Sequence, residues 1–192
     1  MNYRKLSLSD YSKELASKEA VPGGGSAAAA MGEMGISLGL MVGRIMLPKL
    51  SGKKKDKLKD VIHDLKELKL CVGKVVNDDV KCYGKVMDAY KLTKTDKMRN
   101  KKIQQALNFS YESMRNAAAD ICGAKKLIVE IKQIATGAIA NDIKVSEEFL
   151  KAAFNSMIST ALINTDYVSD KAEKKEMKSE IKNIKKLFKN IS

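Results

Sequence analysis

This sequence is short of the residues that most often announce chemistry. It holds one histidine, three cysteines, two prolines and no tryptophan in 192 residues. A single histidine, His63, excludes a histidine-based metal cluster and any Ser-His-Asp triad built on another histidine. Cys71, Cys82 and Cys122 are odd in number, match no disulfide framework or zinc spacing, and lie among apolar residues, so each reads as a buried thiol. No paired aromatic motif, finger spacing or homeodomain-like pattern speaks for nucleic acid. With so little disulfide chemistry and no leader-like start at Met1-Asn2-Tyr3-Arg4, the expected location is the cytoplasm.

The two prolines, Pro22 and Pro48, bracket an apolar segment. Residues 27–47, AAAAMGEMGISLGLMVGRIML, approach the length of a membrane span, but Glu33 and Arg44 interrupt them at a cost in lipid. The segment reads instead as the central helix of a soluble bundle, with no membrane partner. Strand-like alternation is scarce along the chain and three- and four-residue apolar spacing is pervasive. The expected fold is all-α, a bundle of five or six helices in one domain over 1–192.

The spacing predicts helices over 8–19, to about 47 from a cap at Ser26, and over 54–92, 98–135, 146–168 and 171–188. The first would be capped by Ser7 or Ser9 and bury Leu8, Tyr11 and Leu15. In the second, Ala28, Gly32, Gly35, Gly39 and Gly43 form a stripe of small residues, against which another helix can pack closely. Met34, Leu38, Met41, Val42 and Ile45 occupy the other faces, which implies burial all round. Whether the stripe meets its own bundle or a second subunit stays open at this point. The fifth helix would start at a Ser146 cap after a connector, AIANDIKV. The last, within 171–188, is lysine-rich and presents Met177, Ile181, Ile184 and Phe188 on its apolar side.

Lysine and arginine exceed aspartate and glutamate by 36 to 23, a formal charge of +13. Such a surface favours anionic partners. It is equally what solvated, lysine-rich helix faces produce.

Three places carry candidate chemistry. Gly23, Gly24, Gly25 and Ser26 stand where a helix begins, and bare backbone lets an anion or a polar heterocycle reach its first N–H groups. A tight turn is the competing reading, and the Walker phosphate-loop pattern is missing. Asp79 occupies an apolar slot in the third helix's stripe (Leu58, Val61, Leu65, Leu68, Val72, Val75, Asp79, Tyr83, Val86, Tyr90). A carboxylate there is either a general acid–base facing a cavity or half of a buried ion pair. Asp142 precedes the fifth helix, and Asn164 interrupts its apolar run, where an interhelical hydrogen bond is the modest reading.

Three stretches carry a resemblance: AVPGGGSAAAAMGEMGISLGLMVGRI, DDVKCYGKVMDAYKLTK and NDIKVSEEFLKAAFNSMISTALINTDYV. Together they make the chain similar to the formimidoyltetrahydrofolate cyclodeaminase and methenyltetrahydrofolate cyclohydrolase family over about residues 6–190. Asp79, Asp142 and Asn164 fall on the matching polar positions. Tyr83 stands where the family has phenylalanine, Thr93 where it has proline and Asn141 where serine is usual. The resemblance implies a one-carbon tetrahydrofolate enzyme that either cyclises the formimino compound with release of ammonia or hydrolyses the methenyl compound. It implies Asp79 and Asp142 as catalytic groups, with Gly23, Gly24, Gly25, Ser26, Tyr90, Lys91 and Asn164 on the substrate. It also implies a homodimer, no metal, no tightly bound cofactor, and a folate substrate whose glutamate tail, where extended, meets lysines near 53–59. A basic, non-catalytic binding protein is the remaining alternative.

Overall fold

The computed structural model describes all 192 residues. Six α-helices account for the architecture, with no strand: α1 (Leu8–Leu15), α2 (Gly24–Met46), α3 (Gly52–Lys91), α4 (Arg99–Lys132), α5 (Ala140–Asp166) and α6 (Lys171–Asn190). Short 3₁₀ turns at Tyr3–Lys5, Leu47–Lys49 and Gly137–Ile139 join them. Helices α2, α3, α4 and α5 pack in that cyclic order around one core, with α6 laid on α4 and α5. Short connections make successive core helices antiparallel neighbours.

The small-residue stripe of α2 explains how tightly this core closes. A Cβ added to Gly39 would lie 2.7 Å from Ile128 Cγ1, and one on Gly32 would lie 2.8 Å from Ile121 Cδ1. At Gly43 the neighbours are Ile131 and Ile62, and at Gly35 they are Leu150 and Phe149. Glycine gives up about 1 kcal/mol of helix propensity against alanine. Here the loss is offset by isoleucine side chains seated directly on backbone. The stripe therefore faces its own bundle. Ser146 is part of the same contact: its buried hydroxyl donates to Gly35 O at 2.7 Å.

Several expectations are corrected. Burial all round α2 does not hold, because Met31, Met34, Met41 and Ile45 are exposed and Leu38 is half-covered. Their 3-4-3-4 spacing is an apolar seam with nothing in this chain to meet it. Ser26 is not a cap: α2 starts two residues earlier, with Gly23 at the N-cap. Ser146 is likewise interior, since the residues read as a connector already belong to α5. Cys71 is exposed, while Cys82 and Cys122 are buried. In α1, Ser7 caps as expected, but Leu8 and Leu15 face solvent and only Tyr11 packs inward.

Helix lengths place the functional cleft. α2 has 23 residues against 40 in α3 and 34 in α4. Gly43 meets Ile62 at one end of the α2–α3 pair and Gly25 meets Asp79 at the other. Beyond Asp79, α3 continues for three more turns, about 18 Å. With the start of α4 it forms an overhang held by its own small cluster, Ala89, Ile103 and Leu107.

Candidate active site

Under that overhang lies a cleft of about 610 Å³. Its floor is the glycine loop with Asp79. One wall is Tyr83, Val86, Met87 and Tyr90 of α3, and the other is Ser159, Thr160, Ile163, Asn164 and Tyr167 at the end of α5. Leu107 and Ser110 of α4 close the back. Asp79 is the only charged residue on this lining.

The loop and the carboxylate are built around each other. A Cβ on Gly25 would overlap the Asp79 carboxylate, 2.6 Å from its Cγ. Only glycine admits the acid at this place. By contrast, a Cβ on Gly24 would meet nothing within 4 Å, and Gly23 has an extended backbone any residue adopts. Neither is required by packing or by a left-handed turn. Their bareness opens the helix end to the cleft. The amides of Gly24 and Gly25 find no carbonyl of the chain, whereas the Ser26 N–H donates to Asp79 Oδ2 at 2.9 Å. The result is a pair of free donors beside a fixed carboxylate.

Asp79 makes no ion pair, which removes the structural salt bridge as an explanation. Burial pushes its pKa up from the ordinary aspartate value, and the Ser26 amide opposes part of that rise. A half-buried carboxyl with a raised pKa, open to a cleft, holds its proton more readily than an ordinary aspartate and can both take and return one.

Asn164 joins α5 to α4. Its Nδ2 donates to Ser110 Oγ at 3.0 Å and to Thr160 O at 3.2 Å. With both amide hydrogens engaged, its carbonyl oxygen is left for a donor in the cleft. Tyr90 lines the mouth, with the Arg99 guanidinium 5.7 Å from its ring centre.

Not every expected residue converges. Ser26 is fully buried and its hydroxyl donates to Val76 O at 2.8 Å, so its side chain holds structure and offers the cleft nothing. Lys91 points away, exposed and paired with Asp88 at 3.2 Å. Asp142 lies in the first turn of α5, some 22 residues before Asn164, which separates them by about 33 Å along the axis. Within one chain it belongs to the opposite end of the bundle. Tyr83, Tyr167 and Ser110 went unremarked as site residues in the sequence, because nothing local distinguishes them from other helix positions. No group of side chains suited to a metal ion is present.

A half-buried acid, a bare helix start and tyrosine side chains thus line one cleft of small-molecule size on an all-helical bundle. The family model described as Formiminotransferase-cyclodeaminase matches residues 7–183, and the chain belongs to that family. It is 30% identical to a methenyltetrahydrofolate cyclohydrolase of Methylorubrum extorquens over 88% of this chain and 84% of the relative. It is 26% identical to the formimidoyltransferase-cyclodeaminase of Gallus gallus over 88% of this chain. That match spans only 32% of the chicken protein. The fold is that of a crystal structure of formiminotetrahydrofolate cyclodeaminase from Thermotoga maritima, with a TM-score of 0.87 at 21% identity. The superposition covers 97% of this chain and 92% of the other.

Proposed function

We propose that the chain is a one-carbon tetrahydrofolate enzyme, a cyclodeaminase that converts the 5-formimino compound into 5,10-methenyltetrahydrofolate and ammonia. The observation that carries this reading is the unpaired Asp79 carboxyl beside free helix-start amides in a family whose relatives are named for this chemistry.

In the reaction N10 attacks the formimino carbon. Asp79 takes the N10 proton and returns it to the formimino nitrogen, giving a tetrahedral aminal. A further proton from solvent makes that nitrogen ammonia, which leaves as the N5 lone pair forms the methenyl double bond. One carboxyl with a raised pKa serves both transfers. The Gly24 and Gly25 amides and the Asn164 carbonyl match the alternating acceptors and donors of a pterin edge. Tyr83, Tyr90 and Tyr167 offer faces for its aromatic parts.

Hydrolysis of the methenyl compound to 10-formyltetrahydrofolate is the second reading, favoured by the Methylorubrum relative. There water attacks the same carbon and Asp79 takes its proton, then returns it to N5 as the C–N5 bond breaks and the hydroxyl proton passes to solvent, leaving the formyl group on N10. The two are separated by measuring ammonia release from the formimino substrate beside loss of methenyl absorbance from the methenyl substrate. Turnover of neither sinks both readings.

The exposed seam Met31, Met34, Leu38, Met41 and Ile45 supports a homodimer formed through α2. Asp142, remote from Asp79 in one chain, then acts through that assembly or not at all. An extended glutamate tail would find its cations outside the cleft, whose lining holds no lysine or arginine. The lysines at 53–59 do not serve there within one chain, because they begin α3 at the opposite end of the bundle, about 30–39 Å along its axis from Asp79. Lys91, exposed near the overhang, offers only a diffuse attraction.

A further inference from the structure

Helix α1 has eight residues, too few to persist alone, and two of its three large apolar side chains face water. The N-terminal segment as a whole, residues 2–11, is nevertheless tied down at several points. Asn77 Oδ1 accepts from the Tyr3 N–H at 2.8 Å, and its Nδ2 donates to Asn2 Oδ1 at 2.8 Å. The Arg4 guanidinium pairs with Glu33 at 2.7 Å, crossing α3 where Gly73 leaves room. The last tie is the Tyr11 hydroxyl, 2.9 Å from Ser26 Oγ.

Hydrogen accounting fixes the direction of that last bond. Ser26 has one hydroxyl hydrogen and gives it to the Val76 carbonyl, which cannot donate. Tyr11 is therefore the donor and Ser26 Oγ the acceptor. Ser26 in turn holds Asp79 through its backbone N–H. Val76 lies one turn before Asp79 on α3. The tyrosine hydroxyl thus completes a chain that clamps the start of α2 onto the very turn of α3 that carries the carboxylate.

We propose that Tyr11 is a positioning residue for Asp79, acting through Ser26, and that the N-terminal segment is therefore a working part of the active site. It touches no cleft atom itself; Tyr11 is absent from the lining. Its effect is to keep the Ser26 amide aimed at Asp79 Oδ2. The groups that face Asp79 are the Tyr11 hydroxyl from α1, the Ser26 amide from α2, and Cys82 and Tyr83 from α3 itself, while the neighbouring Asp78 is absent from the cleft lining and pairs with Lys81 at 2.7 Å. From α4 and α5 the cleft receives neutral groups only, among them Ser110, Asn164 and Tyr167. No cation competes with the Ser26 amide for the carboxylate.

The kinetic part of this inference rests on the folate reading; the structural part does not, and the experiment separates them. Tyr11→Phe keeps the ring and removes the hydroxyl. The Asp79 carboxyl is titrated by carbon NMR in the unliganded protein, with no substrate present. The expected result is an upward displacement of its midpoint, since a slackened Ser26 amide stabilises the carboxylate less. Ser26→Ala, which keeps the amide but removes both hydroxyl bonds, should displace it the same way. In turnover, Tyr11→Phe should lower kcat by roughly three- to tenfold with KM unchanged. In an Asp79→Asn background it should cost nothing more. An unmoved Asp79 titration in both variants overturns the proposal, as does a full, independent loss in the Asp79→Asn background. A wild-type protein inert toward both folates sinks the folate reading and leaves the titration to decide this one.

Discussion

The carboxylate of Asp79 occupies the space that a side chain on Gly25 would fill. One residue is bare so that the other can be present, although 53 positions separate them on two different helices. The pairing turns an unremarkable glycine run into one half of an acid–base site.

Replacing Asp79 with Asn should lower turnover by about 10²- to 10⁴-fold, the usual contribution of a positioned acid–base group. Far-ultraviolet circular dichroism should be unchanged, because Asn still accepts from the Ser26 amide. Near-normal turnover in the variant removes Asp79 from the chemistry.

Gly25→Ala should be nearly as damaging to activity, and for a steric reason. The new methyl group must displace the carboxylate or push α2 from α3, at about 1–3 kcal/mol of stability. Gly24→Ala meets open space and should leave stability within about 0.5 kcal/mol. Chemical denaturation of the two variants side by side tests the contrast.

Asp79 should also show a trade between stability and function that depends on pH. Its folded-state pKa lies above the unfolded value. The folded protein thus binds the proton more tightly, and this contribution to stability is present at low pH and lost as pH rises through the folded pKa. Asp79→Asn should therefore be more stable than the wild type at neutral pH, with the gap closing in acid. The acid limb of the wild-type kcat/KM profile should fall above the ordinary aspartate midpoint of about 3.9. Thermal melts across pH and a pH–rate profile read both; a gap that widens in acid would contradict the sign.

In the core, Gly39→Val should lower stability by about 1–3 kcal/mol, since even its Cβ would press on Ile128. For a chain of this size that corresponds to a fall in Tm of about 2–12 °C. On the opposite face of the same helix, Met34→Glu with Met41→Glu should leave the melt of the single chain almost unchanged and abolish a dimer. Sedimentation at several concentrations checks the latter.

The sequence showed the helices best where periodicity is long and sides are unequal. Along α4 the three- and four-residue spacing of Ile103, Leu107, Ser110, Met114, Ala117, Ile121, Ala124, Ile128 and Ile131 marks residues that are all buried, and Asp79 stood out because it broke an apolar stripe. What stayed hidden depends on pairing between distant segments. Ser26 and Ser146 both look like helix caps, yet each sends its hydroxyl across to another helix, one to Val76 and one to Gly35. Asn141 and Asp142 read as loop because both favour turns, but the packing of α5 on α2 carries the helix through them. The spacing placed Tyr11 on the inward face of α1, but not its hydroxyl bond to Ser26, a partner 15 residues on.

Helix α2 divides its residues between two kinds of constraint. Along one side, Gly32, Gly35, Gly39 and Gly43 admit almost no added atom; along the other, a row of methionines accepts many shapes of hydrophobe. A saturating substitution library of this segment should therefore return a half-cylinder: intolerant positions along one flank and permissive ones along the other, alternating about every 3.6 residues and repeating over two turns.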